Sequence, residues 1–176
     1  MKKELRFSGS GGQGVITAAI IYAEAAVDEG KEAVQSQSYG PEARGGASKA
    51  EVILSDYQIY HPHVTSPDVV LAMTQKAANK YYGDLKPNGL LILDEDLVPE
   101  VPKFKNVVKI PITKLAVEEV GAALYANIVA LGAVTRLTEF IGIDAVKKAV
   151  ENRVPKHTVE ANMKALEIGW NAAKIW

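Results

Sequence analysis

The amino-acid sequence predicts an α/β fold: a single doubly wound, mostly parallel sheet with helices on both faces and a helical C-terminal part. Three observations carry this expectation. Short apolar runs of strand length alternate with segments of helical period between Glu4 and Ile112. Two of those runs, in Asp68–Met73 and Leu90–Asp96, are apolar without interruption, as in parallel strands buried on both faces. From Thr113 onward the periodicity is helical to the end. A chain of 176 residues can bury a substantial core, and residues 1–176 are read as a single domain.

Taken in order, Glu4–Gly9 (ELRFSG) alternates and is short, which predicts the first strand. Residues 15–30 (VITAAIIYAEAAVDEG) predict a helix closed by Gly30, with Thr17, Glu24 and Asp28 on one polar stripe and apolar residues elsewhere. Residues 32–39 (EAVQSQSY) predict the second strand, 40–46 (GPEARGG) a loop, and 47–55 (ASKAEVILS) a strand at the sheet edge or in a hairpin. The run 68–73 is followed by a helix over 74–82 (TQKAANKYY) with Thr74 as its N-cap, a turn over 85–89 (LKPNG), the run 90–96, and a last strand over 106–112 (NVVKIPI). The C-terminal helices are read over 113–121, 124–142, 143–153 and 157–176, with Gly121 and Gly142 as stops and Asp144 as a first-turn acid.

Composition removes several functional classes. Hydrophobic residues at 48% and charged residues at 23% are ordinary for a soluble globular chain, and a net charge of −1 gives no electrostatic case for nucleic acid or an anionic membrane. Lys2 and Lys3 precede no apolar targeting segment, and no apolar run reaches membrane-spanning length, so a cytoplasmic location is expected. The absence of cysteine excludes disulfides, thiol catalysis and any cysteine-held iron–sulfur cluster in this chain.

The most informative stretch lies between the first strand and the first helix. Gly9, Gly11 and Gly14 spell G-x-G-x-x-G, with Ser10, Gly12 and Gln13 between them. Such a turn lets backbone approach a phosphate while the amides of the following helix N-terminus face the anion, and the Gln13 amide adds a donor. The same glycines also serve a plain tight strand-to-helix turn. A dinucleotide site would need an acid at the end of the second strand for the ribose hydroxyls, but that strand ends VQSQSY, with Glu32 before it and Glu42 beyond it. A stand-alone nucleotide-binding oxidoreductase is therefore the less favoured alternative.

The stretches GSGGQGVITAA, QSQSYGPEARGGASKAEVILS, DVVLAM, LILDEDLV and NIVALGA, in this order, resemble the gamma subunit of 2-oxoacid:ferredoxin oxidoreductases over nearly the whole chain. The QSQSYGPEARGG form is most similar to the 2-oxoglutarate type, with the pyruvate and 2-oxoisovalerate types as alternatives. The resemblance implies a multi-subunit enzyme that decarboxylates a 2-oxoacid on thiamine diphosphate, reduces ferredoxin and transfers the acyl group to coenzyme A. It implies alpha, beta and ferredoxin-like delta subunits as partners, with thiamine diphosphate, magnesium and iron–sulfur clusters on them. This chain would supply part of the coenzyme A site through Gly9, Ser10, Gly11, Gly12, Gln13 and Gly14, and would be inactive alone. The residues agree that no thiamine motif is present: Gly83–Gly89 (GDLKPNG) is read as a plain turn.

The second distinctive stretch is the loop Tyr39, Gly40, Pro41, Glu42, Ala43, Arg44, Gly45 and Gly46. Pro41 fixes its own φ, and in a doubly wound sheet the loop shares a rim with the glycine turn. Arg44 is expected to clamp a phosphate or carboxylate, or to pair with Glu42 or with a partner subunit. No catalytic residue is assigned. His61, His63 and His157 lack metal-site spacing, so no metal site is assigned. Asn127 is read as a structural amide in an apolar helix, Asp94, Glu95 and Asp96 as solvated carboxylates at a strand end, and Trp170 and Trp176 as packing residues.

Overall fold

The computed structural model describes residues 1–38 and 46–173. Six strands form one mixed sheet: β1 (Lys2–Gly9), β2 (Glu32–Gln37), β3 (Ser48–Ser55), β4 (Val69–Ala72), β5 (Leu90–Asp94) and β6 (Val107–Ile110), in the spatial order β2-β3-β1-β4-β5-β6. β1, β4, β5 and β6 run parallel, and β3 runs antiparallel to both of its neighbours, β1 and β2. β2 therefore points the same way as β1, and the carboxyl ends of both lie on one rim. The expected mostly parallel sheet is found, and of the two placements expected for β3 the hairpin is the one observed. β3 is the second arm of that hairpin with β2; it lies inside the sheet, and β2 takes the edge. The reason is burial: Ala50, Val52, Ile53 and Leu54 are all buried, whereas every residue of β2 keeps some exposure.

Among the described residues the α-helices are α1 (Val15–Asp28), α2 (Gln75–Tyr81), α3 (Ile112–Leu115), α4 (Ala126–Thr138), α5 (Ile143–Arg153) and α6 (Val159–Ala173). The period of two along the strands sorts side chains onto two layers. Leu5 and Phe7 of β1, Val52 and Leu54 of β3, Leu71 of β4 and Ile92 of β5 face a thick layer that includes α1, α4, α5 and α6. Val70, Ala72, Leu91 and Leu93 face α2 on the other side. Within the thick layer α4 is buried along most of its length, and α6 lies against it so closely that a Cβ on Gly169 would run into the Val129 carbonyl.

On the α2 side, the antiparallel register sets Arg6 opposite Glu51. Arg6 Nε donates to Glu51 Oε2 at 2.7 Å, and its terminal nitrogens donate to the Asp84 carboxylate at 2.5 and 3.0 Å and to the Tyr81 carbonyl at 2.9 Å. Burial opposes the Arg6 charge, but the hydrogen bonds and charges of Asp84 and Glu51 outweigh it and hold the guanidinium protonated. The same hydrogen bonds keep the Asp84 carboxyl below its usual range.

Helix boundaries follow local chemistry. α1 ends at Asp28, and Gly30 follows it at φ 83°. Thr74 caps α2, accepting from the Ala77 N–H at 3.2 Å, as expected. The segment after β6 is less regular than the sequence implies. A π-helical turn over Ala116–Val120 ends at Gly121, and a 3₁₀ turn over Ala123–Tyr125 precedes α4. α4 stops at Thr138 with Glu139 in the left-handed region, not at Gly142, which instead opens α5 and donates its N–H to Glu29 Oε2 at 2.8 Å. Trp170 takes the Arg136 guanidinium 4.8 Å from its ring centre, a packing role as expected; Trp176 lies outside the described residues. No helix among the described residues is long and apolar enough to cross a membrane.

Candidate functional site

The chain leaves β1, crosses through α1 to the β2 edge, returns through β3, and then passes to β4 on the other side of β1. The carboxyl ends of β1 and β4 thus mark the point where the winding reverses, the place where open α/β sheets bind ligands. Gly9–Gly14 lies there. Gly9 ends β1, the Gln13 N–H donates back to the Ser10 carbonyl at 3.2 Å, and Gly14 stands at φ 73° as the N-cap of α1. No side chain caps this helix, and no acid lies in its first turn. Its N-terminal amides are therefore not claimed by a capping side chain, and no nearby carboxylate of that turn repels an anion. A Cβ added at Gly11 or Gly12 would meet nothing within 4 Å, so the turn is open on the side a ligand would take. Donor set and open space fit a diphosphate.

Two side chains hold this turn. Gln13 folds inward: Oε1 accepts the Ser10 N–H at 2.8 Å, and Nε2 donates to the Met73 carbonyl at 3.3 Å, across from β1 to the end of β4. The Gln13 amide, expected as a ligand donor, thus also ties the turn to the end of β4. Asn127, in the first turn of α4, donates from Nδ2 to the Gly14 carbonyl at 3.2 Å and accepts the Ile128 N–H at 2.9 Å. The structural-amide expectation for Asn127 holds, but its partner is the glycine turn itself. Met73 and Asn127 thus join the site; sequence reading missed Met73 and singled out Asn127 without its partner. The one available signal was a polar amide inside an otherwise apolar helix.

The second loop begins on the same rim. Ser38 donates its N–H to the Lys49 carbonyl at 3.1 Å, and Ser48 is registered opposite Gly9. Tyr39, Gly40, Pro41, Glu42, Arg44 and Gly45 lie outside the described residues, while Gly46 is placed at φ 81° beside the Lys76 side chain. Glu32, the acid nearest to a ribose role, pairs with Ser55 at the opposite rim. Of the strand-end acids, Glu95 and Asp96 are exposed as expected, but Asp94 is fully buried. Its Oδ1 accepts the Asp96 and Leu97 N–H groups at 3.1 and 3.2 Å, and Oδ2 accepts the Thr113 N–H and hydroxyl at 2.9 and 2.7 Å. Four donors fix it as the tie between β5 and α3, so it is neither solvated nor open to a ligand. Grooves of about 450 and 460 Å³ open elsewhere, the first between α1, β2 and α5 and the second between β6, α3 and α6.

Residues 4–172 match the family model for pyruvate ferredoxin/flavodoxin oxidoreductase. This chain belongs to that family. Within the family it is a gamma-type chain. It is 48% identical over 180 residues to 2-oxoglutarate synthase subunit KorC of Methanocaldococcus jannaschii, covering 99% of this chain and 95% of that one. The crystal structure of the keto/oxoacid ferredoxin oxidoreductase gamma subunit from Geobacter sulfurreducens PCA superposes with a TM-score of 0.91 at 49% identity, covering 99% of both chains. The 2-oxoglutarate:ferredoxin oxidoreductase from Magnetococcus marinus, solved with 2-oxoglutarate, coenzyme A and succinyl-CoA bound, superposes at 0.87 and 25% identity over 99% of this chain and 31% of that longer one. The gamma-subunit resemblance and the α/β architecture expected from the sequence are both borne out, and the stand-alone oxidoreductase is set aside: the chain is a subunit of a 2-oxoacid:ferredoxin oxidoreductase.

Proposed function

We propose that this gamma chain serves a complex that oxidises 2-oxoglutarate, and that Gly9–Gly14 binds the diphosphate of coenzyme A. The observation that carries the cofactor reading is the uncapped, open glycine turn at the winding reversal, held in shape by Gln13 and Asn127. Support comes from the Magnetococcus marinus relative, solved with coenzyme A bound. The substrate reading is supported by the 48% identity to a 2-oxoglutarate synthase subunit. Coenzyme A supplies the thiol that accepts the acyl group. This chain's part is to bind and orient the cofactor's anionic end, through backbone amides that are fixed before binding. Thiamine diphosphate, magnesium and the iron–sulfur clusters are assigned to alpha, beta and ferredoxin-like delta partners, which pass electrons to ferredoxin in the cytoplasm. The Tyr39–Gly46 loop is assigned to contacts with a partner subunit or the substrate.

The test is reconstitution. The chain alone, given thiamine diphosphate, magnesium, coenzyme A, 2-oxoglutarate and an electron acceptor, is expected to show no turnover. The complex co-purified with it is expected to consume 2-oxoglutarate in preference to pyruvate or 2-oxoisovalerate. Sustained turnover by the chain alone, or a pyruvate preference, would contradict the reading.

A further inference from the structure

Beside the glycine turn, on the α2 side of the sheet, the cations Arg6, Lys49, Lys76 and Lys80 outnumber the carboxylates that pair with them among the described residues. Arg6 is fully engaged by Glu51, Asp84 and the Tyr81 carbonyl, and Lys49 Nζ lies 3.4 Å from Glu51 Oε1. Lys76 and Lys80 have no carboxylate within ion-pairing distance among the described residues. They stand one turn apart on the exposed side of α2, whose other side buries Ala77, Ala78 and Tyr81. Two like charges at this spacing disfavour the helix that carries them, and a bound anion would offset that cost. Both are placed by the fold. Lys80 Nζ sits 5.3 Å from the Tyr81 ring centre, with Lys49 Nζ at 5.8 Å from the same ring. Lys76 Nζ reaches within 3.4 Å of the Cβ position of Gly46.

The location ties them to the candidate site. Gln13 of the glycine turn bonds the Met73 carbonyl, and Lys76 is three residues further along, a span of at most about 10 Å. Gly46 lies two residues before Ser48, the register partner of Gly9. Lys76 therefore stands at the rim between the glycine turn and the base of the second loop, and Lys80 lies against the Tyr81 ring, whose hydroxyl donates to the Ala47 carbonyl at 3.5 Å beside that base.

We propose that Lys76 and Lys80 form a second anion subsite, which takes a phosphomonoester carried by the ligand whose diphosphate lies over Gly9–Gly14. The proposal rests on the diphosphate reading above and adds what the site selects: coenzyme A, with its 3′-phosphate, over dephospho-coenzyme A, which lacks it. A phosphomonoester carries close to two negative charges at neutral pH, and ammonium groups bind it through short, charge-assisted hydrogen bonds.

The test is calorimetric titration of the assembled complex with coenzyme A and with dephospho-coenzyme A, in wild type and in a Lys76→Gln/Lys80→Gln variant. Wild type is expected to favour coenzyme A by about 10-fold or more. The variant is expected to lose that preference, because its affinity for coenzyme A falls to that for dephospho-coenzyme A while the latter stays unchanged. A wild type without preference, a variant that keeps it, or an equal fall for both ligands overturns the proposal. So does a variant chain that no longer enters the complex on size-exclusion chromatography, which would assign the lysines to an acidic protein surface. Failure of the underlying diphosphate reading gives a different pattern: Gly12→Val then leaves both affinities at wild-type values.

Discussion

Gly14 and Gly12 sit two residues apart and answer to different demands. Gly14 holds φ 73°, and a Cβ there would lie 2.6 Å from Asn127 Nδ2. Gly14→Ala is therefore expected to lower stability by about 1–2 kcal/mol from the left-handed backbone alone, with more from displacing Asn127, as read by urea unfolding. Gly12 has neither constraint: its φ is ordinary and its surroundings are open. A side chain at Gly12 is therefore expected to enter the space proposed for the ligand without disturbing the fold. Glu139 offers the reverse case, a non-glycine residue at φ 54° closing α4. Glu139→Gly is expected to leave stability unchanged or raise it by up to about 1 kcal/mol, since relief of strain exceeds the added entropy of the unfolded chain; thermal unfolding would show it. At this scale the glycine turn was legible, because spacing between a strand and a helix is a local signal. The engagement of Gln13 by Met73, of Asn127 by Gly14 and of Asp94 by Thr113 was not, since each joins residues distant in the chain or depends on how a turn closes.

α4 and α6 meet where Gly169 crosses Val129. Gly169→Ala drives a methyl into backbone, which cannot yield as a side chain can, and is expected to cost at least about 2 kcal/mol in chemical unfolding. On the opposite layer, Arg6 joins β1 to β3 and to the end of α2. Arg6→Met leaves Glu51, whose side chain is only 10% exposed, with the Lys49 ammonium 3.4 Å away as its remaining cation, and is expected to cost about 2–3 kcal/mol. The Asp84 arm of this network has a pH signature. Its folded carboxyl is held below the unfolded value of about 3.9, so its contribution is complete above that pH and is lost as pH falls through the folded value. Asp84→Asn should flatten the loss of stability below about pH 4 and lower stability at neutral pH; an unchanged acid limb would contradict this account. Element types were readable because period and punctuation are local, and β1, β4, β5 and β6 all fall where their apolar runs stand. The inner position of β3 was not readable, because alternation reports a buried face and not a strand's neighbours. The π turn at Ala116–Val120 was hidden for a similar reason: an apolar period of about four does not distinguish one helical winding from another.

At the scale of the molecule, one rim gathers what the sequence singled out. The glycine turn and both described stems of the second loop converge there, while Glu32 at the start of β2 lies toward the other end of the strands. The proposed anion-binding edge and the absence of cysteine accord with the proposal of a subunit that positions a cofactor for chemistry carried on its partners. The central claim is that coenzyme A meets this chain at Gly9–Gly14. Its most direct test is calorimetric titration of coenzyme A into the assembled complex carrying Gly12→Val, beside wild type. The account predicts a folded chain by circular dichroism, an affinity reduced about 10-fold or more, and thiamine-dependent decarboxylation of 2-oxoglutarate largely retained. A folded Gly12→Val complex that binds coenzyme A as tightly as wild type would contradict it and leave the turn a purely structural one.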